Sequence, residues 1–522
     1  MAKSVNLDAL IPRLDFEVNG LGDDAPPKDH AIKISDLEKT AFFYGALRKP
    51  DFQRETEDWD SKRVVGLIRT FVEDGLIPSV ILWKNREYLF VIDGSHRLSA
   101  LIAWVQDDYG DKEASEEFFG HEISDEQREI AEATRKLVEK EFGSYKDHRS
   151  AISNQAAFGP EVVQRARRFG SLSLPIQYVK GNVADAEAAF LRINQQAAMI
   201  NKQELELIEG RKRPNVIAAR AVIRRGTGHK YWRSFKEAEQ RQIEDIATEV
   251  HNLIFEPVSH HPVKTLDLPA GGGVSAAPAL RMVYDFINLC VGTATTEKDE
   301  TGQKTIEYLT RCRRVMELLL SDKPSSLGLH PAVYFYSWTG KQQPVLFLVM
   351  AQIIIEYDQK RKLSQFIQIR KTLEEFLMGN RALVSQVVRK FGTKSSGHAN
   401  LGQFYAQVFE LLKNGSSAQR VVEVITADQA YSYLQPSESQ YEQKPGTKFS
   451  AQVKSGFVMK ELLVGAPRCS FCSGVVPSQS ISVDHKKRRE EGGTGDAANA
   501  QLTHPYCNTG EKEKLAARER RA

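Results

Sequence analysis

The sequence has few cysteines, no signal-peptide core and no long apolar run. Only five cysteines occur among 522 residues, and three of them crowd into the last segment, so they do not form the spread framework of a disulfide-rich secreted protein. The first residues lack the apolar core that a signal peptide requires. We therefore expect a reducing, cytoplasmic setting for this chain.

An excess of either charge is also missing. The 71 basic and 68 acidic residues leave a formal net charge of +3, so bulk charge does not indicate nucleic-acid binding, and any contact with DNA must come from local patches. The most apolar run, Val345 to Ile355, is too short for the ~20 residues that cross a bilayer. It predicts a buried helix, and no membrane partner is expected.

The pattern of apolar residues predicts an α+β multidomain protein. At 522 residues and 41% hydrophobic, the chain can form two to four domains with ordinary cores. We expect a small α/β domain, a mainly helical middle with apolar residues at three-to-four spacing, and a C-terminal metal module. The predicted boundaries are 1–40 for an extended lead-in, 41–210, 211–430, 431–450 for a linker, and 451–522.

A short motif in the predicted α/β domain has the character of a phosphate-binding turn. The strand Tyr88 to Ile92 leads into Asp93-Gly94-Ser95-His96-Arg97, and a helix follows. Helix N-termini present unpaired N–H groups and a positive dipole end, which suit an anion. Taken alone, the pentapeptide fits a purely structural strand-turn-helix with a capping Asp equally well.

The last segment carries residues at metal-ligand spacing. Two pairs, Cys469-x-x-Cys472 and His504-x-x-Cys507, can close tetrahedrally on a structural Zn²⁺ ion. Between them lie a strand that ends in Asp484 and His485, a Gly-Gly loop, and Asn499; Asn508 follows the last cysteine. A plain zinc knuckle without activity explains the two pairs, but it leaves the residues between them unexplained.

Three separated motifs in the first half resemble one known family. They are Pro50-Asp51-Phe52-Gln53-Arg54 with Trp59, Asp93 to Leu98, and Phe190 to Asn194 with Gln203-Glu204-Leu205. In this order they resemble the ParB/sulfiredoxin-like domain of GmrSD-type and SspE-type restriction proteins. The central motif of that family is usually Asp-Gly-Gln-Gln/His-Arg, and this chain has Ser95 at the third position. The resemblance implies binding or hydrolysis of a nucleoside triphosphate (ATP, GTP or CTP). The implied nucleotide-site residues are Gln53, Arg54, Asp93, Gly94, Ser95, His96 and Arg97.

The last segment resembles the zinc-containing branch of the HNH, or ββα-metal, endonucleases. By this resemblance His485 is the general base that activates water, and Asp484 with Asn508 holds one catalytic Mg²⁺ or Mn²⁺ through oxygen atoms. Asn499 orients the His485 loop. His504 fits either the zinc or the catalytic metal; the zinc role is preferred because Asn508 is the better oxygen donor.

Together the two resemblances indicate a nucleotide-regulated DNA endonuclease or nickase of a prokaryotic antiviral restriction system, acting on foreign or modified DNA. Two alternatives stay open. One is a ParB-like, nucleotide-switched DNA-binding protein with an inactive nuclease module, and the other is a homing-type HNH nuclease of a mobile element. The sequence leaves the oligomeric state and any partner from a defence operon undetermined.

Overall fold

The chain is divided into two compact units. A computed structural model describes residues 5–14, 30–51, 53, 59–118, 123, 125–197, 202–258, 262–273, 276–292, 294–391, 395–435 and 448–511. The first unit comprises Met1–Lys212 and Thr227–Ser234, and the second comprises Arg213–Gly226 and Phe235–Ala522. The fold class is α+β, as the sequence predicted. Within the described ranges, no helix combines the length and the apolar character that spanning a membrane requires.

The first unit is built on a mixed sheet. Its strands are β1 (Arg13–Leu14), β2 (Ala31–Lys33), β3 (Leu47–Pro50), β4 (Val80–Asn85), β5 (Tyr88–Asp93) and β6 (Ser173–Val179). Its helices are α1 (Phe42–Ala46), α2 (Ser61–Val72), α3 (Ser95–Gln106), α4 (Glu113–Phe118), α5 (Asp125–Phe142), α6 (Tyr145–Ser153), α7 (Pro160–Phe169), α8 (Val183–Ala197) and α9 (Lys202–Glu209). The strand order among the described residues is β1-β3-β5-β4-β6-β2.

Alternation along the central strands gives this sheet two buried faces. In β4 and β5, Leu82 and Val91 belong to one apolar core, which includes residues of α2 and α3. Their neighbours Trp83 and Phe90 belong to a second core, which Phe190 of α8 completes. Successive side chains of a strand point to opposite faces, so these two strands are buried on both sides and form the rigid centre of the unit.

The beginning of the chain differs from the extended lead-in that the sequence suggested. Strand β1 pairs in parallel with β3, and β2 pairs antiparallel with β6. Leu7, Leu10 and Ile11 are buried in the first core. These short segments carry no strong local signal, and they are stabilised by partners far away in the sequence. The stretch from Asp23 to Pro27 lies outside the described residues.

The second unit is mainly helical. Its helices are α10 (Pro214–Ile223), α11 (Glu237–Phe255), α12 (Ala276–Val291), α13 (Gln303–Leu319), α14 (Pro331–Tyr334), α15 (Pro344–Gln359), α16 (Leu363–Gly379), α17 (Arg381–Phe391), α18 (Ser395–Lys413), α19 (Ala418–Ala427) and α20 (Ala451–Val464). A hairpin of β7 (Ser482–His485) and β8 (Ala500–Thr503) follows, and then the short helical turn Cys507–Glu511.

Two helices form the centre of this unit. All ten residues of α10 are buried, and α10 packs against α11, α12 and α13. Helix α15 contains the most apolar run of the sequence, and its residues Val345 to Phe347, Val349 to Ala351 and Ile354 are buried. The prediction of a buried helix at Val345 to Ile355 is therefore confirmed. The finer domain boundaries, including the linker at 431–450, stay a prediction.

Candidate functional site

Four ligand-type side chains meet near the C-terminal hairpin. The sulfur atoms of Cys469, Cys472 and Cys507 and a ring nitrogen of His504 lie within 4.8 Å of one another, and all four residues are buried. Three thiols and one imidazole are a donor set that holds structural zinc in proteins. The structure thus places His504 with the cysteines, which is the arrangement preferred from the sequence.

Local turns place the four side chains together. Cys469 donates its N–H to the carbonyl of Gly474 (2.9 Å), and Ser473 donates to the carbonyl of Cys469 (2.9 Å). These two bonds close a tight knuckle around Cys472. Ser470 donates its N–H to the carbonyl of Leu502 on β8 (2.9 Å). Because β8 ends at Thr503, this last bond brings the knuckle next to the second pair of ligands.

The protonation of the cluster fits a metal site. Hydrogen bonds with Cys472 and Cys507 lower the pKa of Cys469 far below its usual range. The hydrogen bond with Cys469 raises the pKa of Cys472 to about 11, and hydrogen bonds with both other cysteines raise the pKa of Cys507. These opposite shifts arise because adjacent negative charges repel one another, so the ionisation of one thiol opposes that of its neighbours. A divalent cation would allow all three to ionise.

The ring of His504 is oriented by its two nitrogens. Nε2 lies 3.1 Å from the carbonyl oxygen of Val475, and a carbonyl only accepts, so Nε2 carries the proton. Nδ1 lies 3.3 Å from the sulfur of Cys472 and turns its lone pair toward the cluster. Burial lowers the pKa of His504, and the charge of Arg370 adds to the effect. A neutral ring whose unprotonated Nδ1 faces the cysteines is the form that binds a metal.

The β7–β8 hairpin carries the predicted catalytic carboxylate. Asp484 of β7 is only 5% exposed and lies opposite Gln501 of β8 in the antiparallel register. Gln501 donates its Nε2 to Oδ2 of Asp484 (3.0 Å), and the backbone N–H of His485 donates to Oδ1 (2.7 Å). The two donors help to fix the orientation of the carboxylate, and carboxylate oxygens are ligands that a divalent cation accepts.

Asn508 lies on the same face of the hairpin as Asp484. Its Nδ2 donates to Oγ of Ser482 (2.9 Å), and Ser482 and Asp484 point to one face because they are two residues apart on a strand. The bond uses the amide nitrogen and leaves the oxygen of Asn508 for a ligand. Oxygen atoms from a carboxylate and an amide are donors that Mg²⁺ and Mn²⁺ accept.

Asn499 holds the loop that connects the two strands. Its side-chain oxygen accepts from the N–H of Lys487 (2.8 Å), and its Nδ2 donates to the carbonyls of Lys487 (3.1 Å) and Thr494 (2.7 Å). His485, the last residue of β7, pairs with Ala500, which follows Asn499 directly. The amide of Asn499 therefore fixes the backbone next to His485, although the catalytic roles of both residues stay a prediction.

In the first unit, the predicted nucleotide motif lies at the carboxyl edge of parallel strands. Strands β1, β3 and β5 run in parallel, so Gln53 after β3 and Asp93 at the end of β5 are at one edge of the sheet. Gly94 is the N-cap of α3 with φ +97°, and an added Cβ would lie 3.0 Å from Cγ2 of Val80. A helix N-terminus at such an edge is a common position for phosphate groups.

The side chains around this turn are held in defined positions. Nη2 of Arg97 donates to Oδ2 of Asp93 (2.7 Å) and to the carbonyl of Ser79 (3.2 Å). The ring of His96 stacks on Trp59 at 5.6 Å between centroids. Ser95 is buried at the first position of α3. The turn is thus rigid, and the guanidinium of Arg97 is paired with a carboxylate.

Gln53 adds an unsatisfied group at this edge. The residue is 7% exposed, and its Oε1 is buried without a hydrogen-bond partner in the described structure. An unpaired buried amide oxygen is costly, so a donor from a ligand would satisfy it. Arg54, the remaining predicted nucleotide-site residue, lies outside the described residues.

Comparisons with known proteins assign two regions of the chain to known domain families. Residues 34–207 match the family model of the N-terminal domain of the GmrSD restriction endonucleases, and residues 469–514 match the model of the HNH endonucleases. No curated protein and no solved structure matches the chain. The chain is therefore a DNA endonuclease. It joins a GmrSD-type N-terminal domain to a C-terminal HNH domain, which confirms the resemblance seen in the sequence.

Two residues of the hairpin were missed by the sequence analysis. Gln501 and Ser482 each contact a predicted metal ligand, Asp484 and Asn508 respectively. The antiparallel pairing of β7 with β8 would have revealed Gln501, because it places residue 501 opposite residue 484. The sequence analysis gave residue positions only for the first of these two strands, although the resemblance to the ββα-metal endonucleases implied a second.

Proposed function

We propose that this protein is a nucleotide-regulated, metal-dependent DNA endonuclease or nickase of a prokaryotic antiviral restriction system. The observation that carries the proposal is the hairpin, on which Asp484 and the amide of Asn508 share one face beside a buried Cys₃His cluster. A nuclease site needs this combination of oxygen donors on a rigid support.

Four residues in or beside the hairpin have a catalytic role in this proposal. His485 takes the proton of the attacking water, Asp484 and Asn508 hold a Mg²⁺ or Mn²⁺ ion, and Asn499 fixes the loop beside His485. A bound Mg²⁺ or Mn²⁺ ion would supply positive charge at the scissile phosphate and its leaving oxygen. Zinc, held by the four cluster residues, would be structural, because all of its protein ligands are internal and buried.

Substitution of His485 tests the cutting role. Loss of a general base typically costs ~10²–10⁴-fold in rate, so we expect the His485→Ala protein to nick supercoiled plasmid far more slowly in Mg²⁺ while its zinc content stays unchanged. His30→Ala, at an exposed histidine of the first unit, serves as the control. Nicking by His485→Ala at the wild-type rate would refute the assignment.

The first unit is proposed to bind a nucleoside triphosphate at the Gly94 turn. Phosphate oxygens would accept from the N–H groups at the start of α3 and compete with Asp93 for the guanidinium of Arg97. The support is the parallel-strand edge together with the unpaired amide oxygen of Gln53. Nucleotide binding would thereby alter the nuclease, although ATP, GTP and CTP each have to be tried.

A cleavage assay on modified and unmodified phage DNA, with and without each nucleotide, tests this regulation. We expect cleavage to depend on nucleotide, and Arg97→Gln to weaken that dependence. Arg69→Gln, at an exposed arginine of α2 that pairs with Glu141, should behave like the wild type. Cleavage at one long site without any effect of nucleotide or modification would instead support a homing-type nuclease.

A further inference from the structure

An ion pair is completely buried beside the Cys₃His cluster. Arg370 and Glu374 lie one turn apart on α16, their side chains are both 0% exposed, and Nε of Arg370 donates to Oε1 of Glu374 (2.8 Å). Removing two charges from water is costly, and such a pair seldom adds stability over apolar side chains. The pair therefore requires an explanation other than the stability of α16.

The hydrogen bonds of Glu374 lead to a predicted zinc ligand. Its Oε2 accepts the backbone N–H of Val475 (2.6 Å), and its Oε1 also accepts the hydroxyl of Tyr334 (2.9 Å). The carbonyl of the same Val475 accepts the Nε2 proton of His504 (3.1 Å). Glu374 thus fixes Val475, and Val475 fixes the ring whose Nδ1 turns toward the cysteines.

The hydrogen bonds of Arg370 reach the other side of the same ring. Its two terminal nitrogens donate to the carbonyls of Leu327 (2.5 Å) and Gly328 (2.7 Å). Gly328 lies directly against His504, because an added Cβ would be 2.7 Å from Cδ2 of the ring. Nη1 of Arg370 also lies 3.4 Å from Nδ1. Its positive charge offsets the negative charge that a cluster of thiolates brings into the interior.

We propose that Glu374, with Arg370 as its counter-ion, is a positioning residue of the zinc site: it orients His504 through the backbone of Val475. This inference rests on the proposed zinc site. Groups behind a metal-bound histidine select its tautomer and ring orientation, and their loss typically weakens metal binding or activity ~10–100-fold. Here the orienting carboxylate comes from a helix that is 101 residues from the backbone it holds.

The test is the release of zinc from the full-length protein. In Glu374→Gln, an amide can no longer accept from Arg370, Tyr334 and Val475 together, so zinc transfer to a chromogenic chelator should be ~10–100-fold faster. The visible absorption of the cobalt-substituted protein should change as well, because it responds to the geometry of the ligands around the cobalt ion. Excess zinc should restore nicking. Glu307→Gln is the control, since Glu307 pairs with Arg311 at the same i,i+4 spacing on an exposed face of α13.

Unchanged zinc release and an unchanged cobalt spectrum in folded Glu374→Gln would overturn the proposal. If that variant does not fold, Tyr334→Phe removes one hydrogen bond to Glu374 and leaves the ion pair; it should release zinc faster than the wild type, and a wild-type rate would overturn the proposal. A wild-type protein that binds neither zinc nor cobalt would overturn the zinc site itself. That last result is distinguishable from the others because it involves no substitution.

Discussion

Replacing Gln501 by alanine should raise the metal concentration that the nuclease needs. Gln501 donates a hydrogen bond to Oδ2 of Asp484, and Asp484 is only 5% exposed, so water cannot easily take the place of the amide. A hydrogen bond to a charged group is worth about 1.5 to 3 kcal/mol. Without it, the carboxylate has to be ordered when the metal binds.

An opposing effect has to be weighed. The amide of Gln501 withdraws some negative charge from the carboxylate, so its removal makes Asp484 a slightly stronger ligand. In metal sites the loss of orientation usually dominates, and removal of such a partner costs about 10- to 100-fold in affinity or activity. We therefore expect the Mg²⁺ or Mn²⁺ concentration for half-maximal nicking to rise by this factor in Gln501→Ala, while the rate at saturating metal changes little.

The assay is plasmid nicking over a metal titration, combined with direct measurement of Mn²⁺ binding. Gln452→Ala, at an exposed position of α20, is the matched control. Gln501→Glu separates the two effects, because a second carboxylate opposite Asp484 repels the first one. Nicking by this variant should therefore recover only at high metal concentration. An unchanged metal requirement in Gln501→Ala, or a lower rate that no metal concentration restores, would refute the reasoning.

Three further predictions concern stability and nucleotide binding. Burial, with the charges of Arg381 and Arg370, lowers the pKa of His330 to about 3. The neutral ring therefore contributes its full stability above the unfolded-state pKa of ~6.5, and this contribution is lost as the pH falls toward 3. Between pH 7 and pH 5 the free energy of unfolding should fall by about 2 kcal/mol. Urea unfolding should show that loss in the wild type and not in His330→Asn, and equal pH dependence of the two would contradict it. Gly328 has φ +59°, so Gly328→Ala should cost about 1–2 kcal/mol for the left-handed backbone and about 1–3 kcal/mol for overpacking; an unchanged unfolding midpoint would be incompatible with the close approach. Gly94→Ala, with φ +97°, should abolish nucleotide binding in a calorimetric titration, and wild-type affinity would place the phosphate site elsewhere.

Local sequence signals were sufficient for the motifs and for several elements. Cysteine spacing indicated the knuckle, because two residues between ligands form one tight turn. The strand before Asp93 and the glycine after it indicated the β5-α3 turn, and continuous apolar character indicated α15. Each of these features depends on neighbours within a few residues, which a single sequence displays directly.

Features that depend on distant partners could not be predicted in the same way. Strand β1 exists because Arg13 pairs with Lys49, and β2 exists because Ala31 pairs with Pro175; neither segment is apolar enough to indicate a strand alone. Glu374 reads as an ordinary helix glutamate until Val475 is brought against it. Gln501 becomes relevant only once the register of the hairpin is known.

The attachment of the hairpin to the helices has a consequence for protein engineering. Ser480, just before β7, hydrogen-bonds Ser326 (3.1 Å), and His504, just after β8, is held through Val475 by Glu374. Both ends of the nuclease hairpin therefore depend on residues that lie outside the HNH segment, in the helical part of the chain before residue 469. A chimaeric protein that contains only residues 469–514 would lack these hydrogen bonds. The transferred segment therefore has to include α13 to α16 as well.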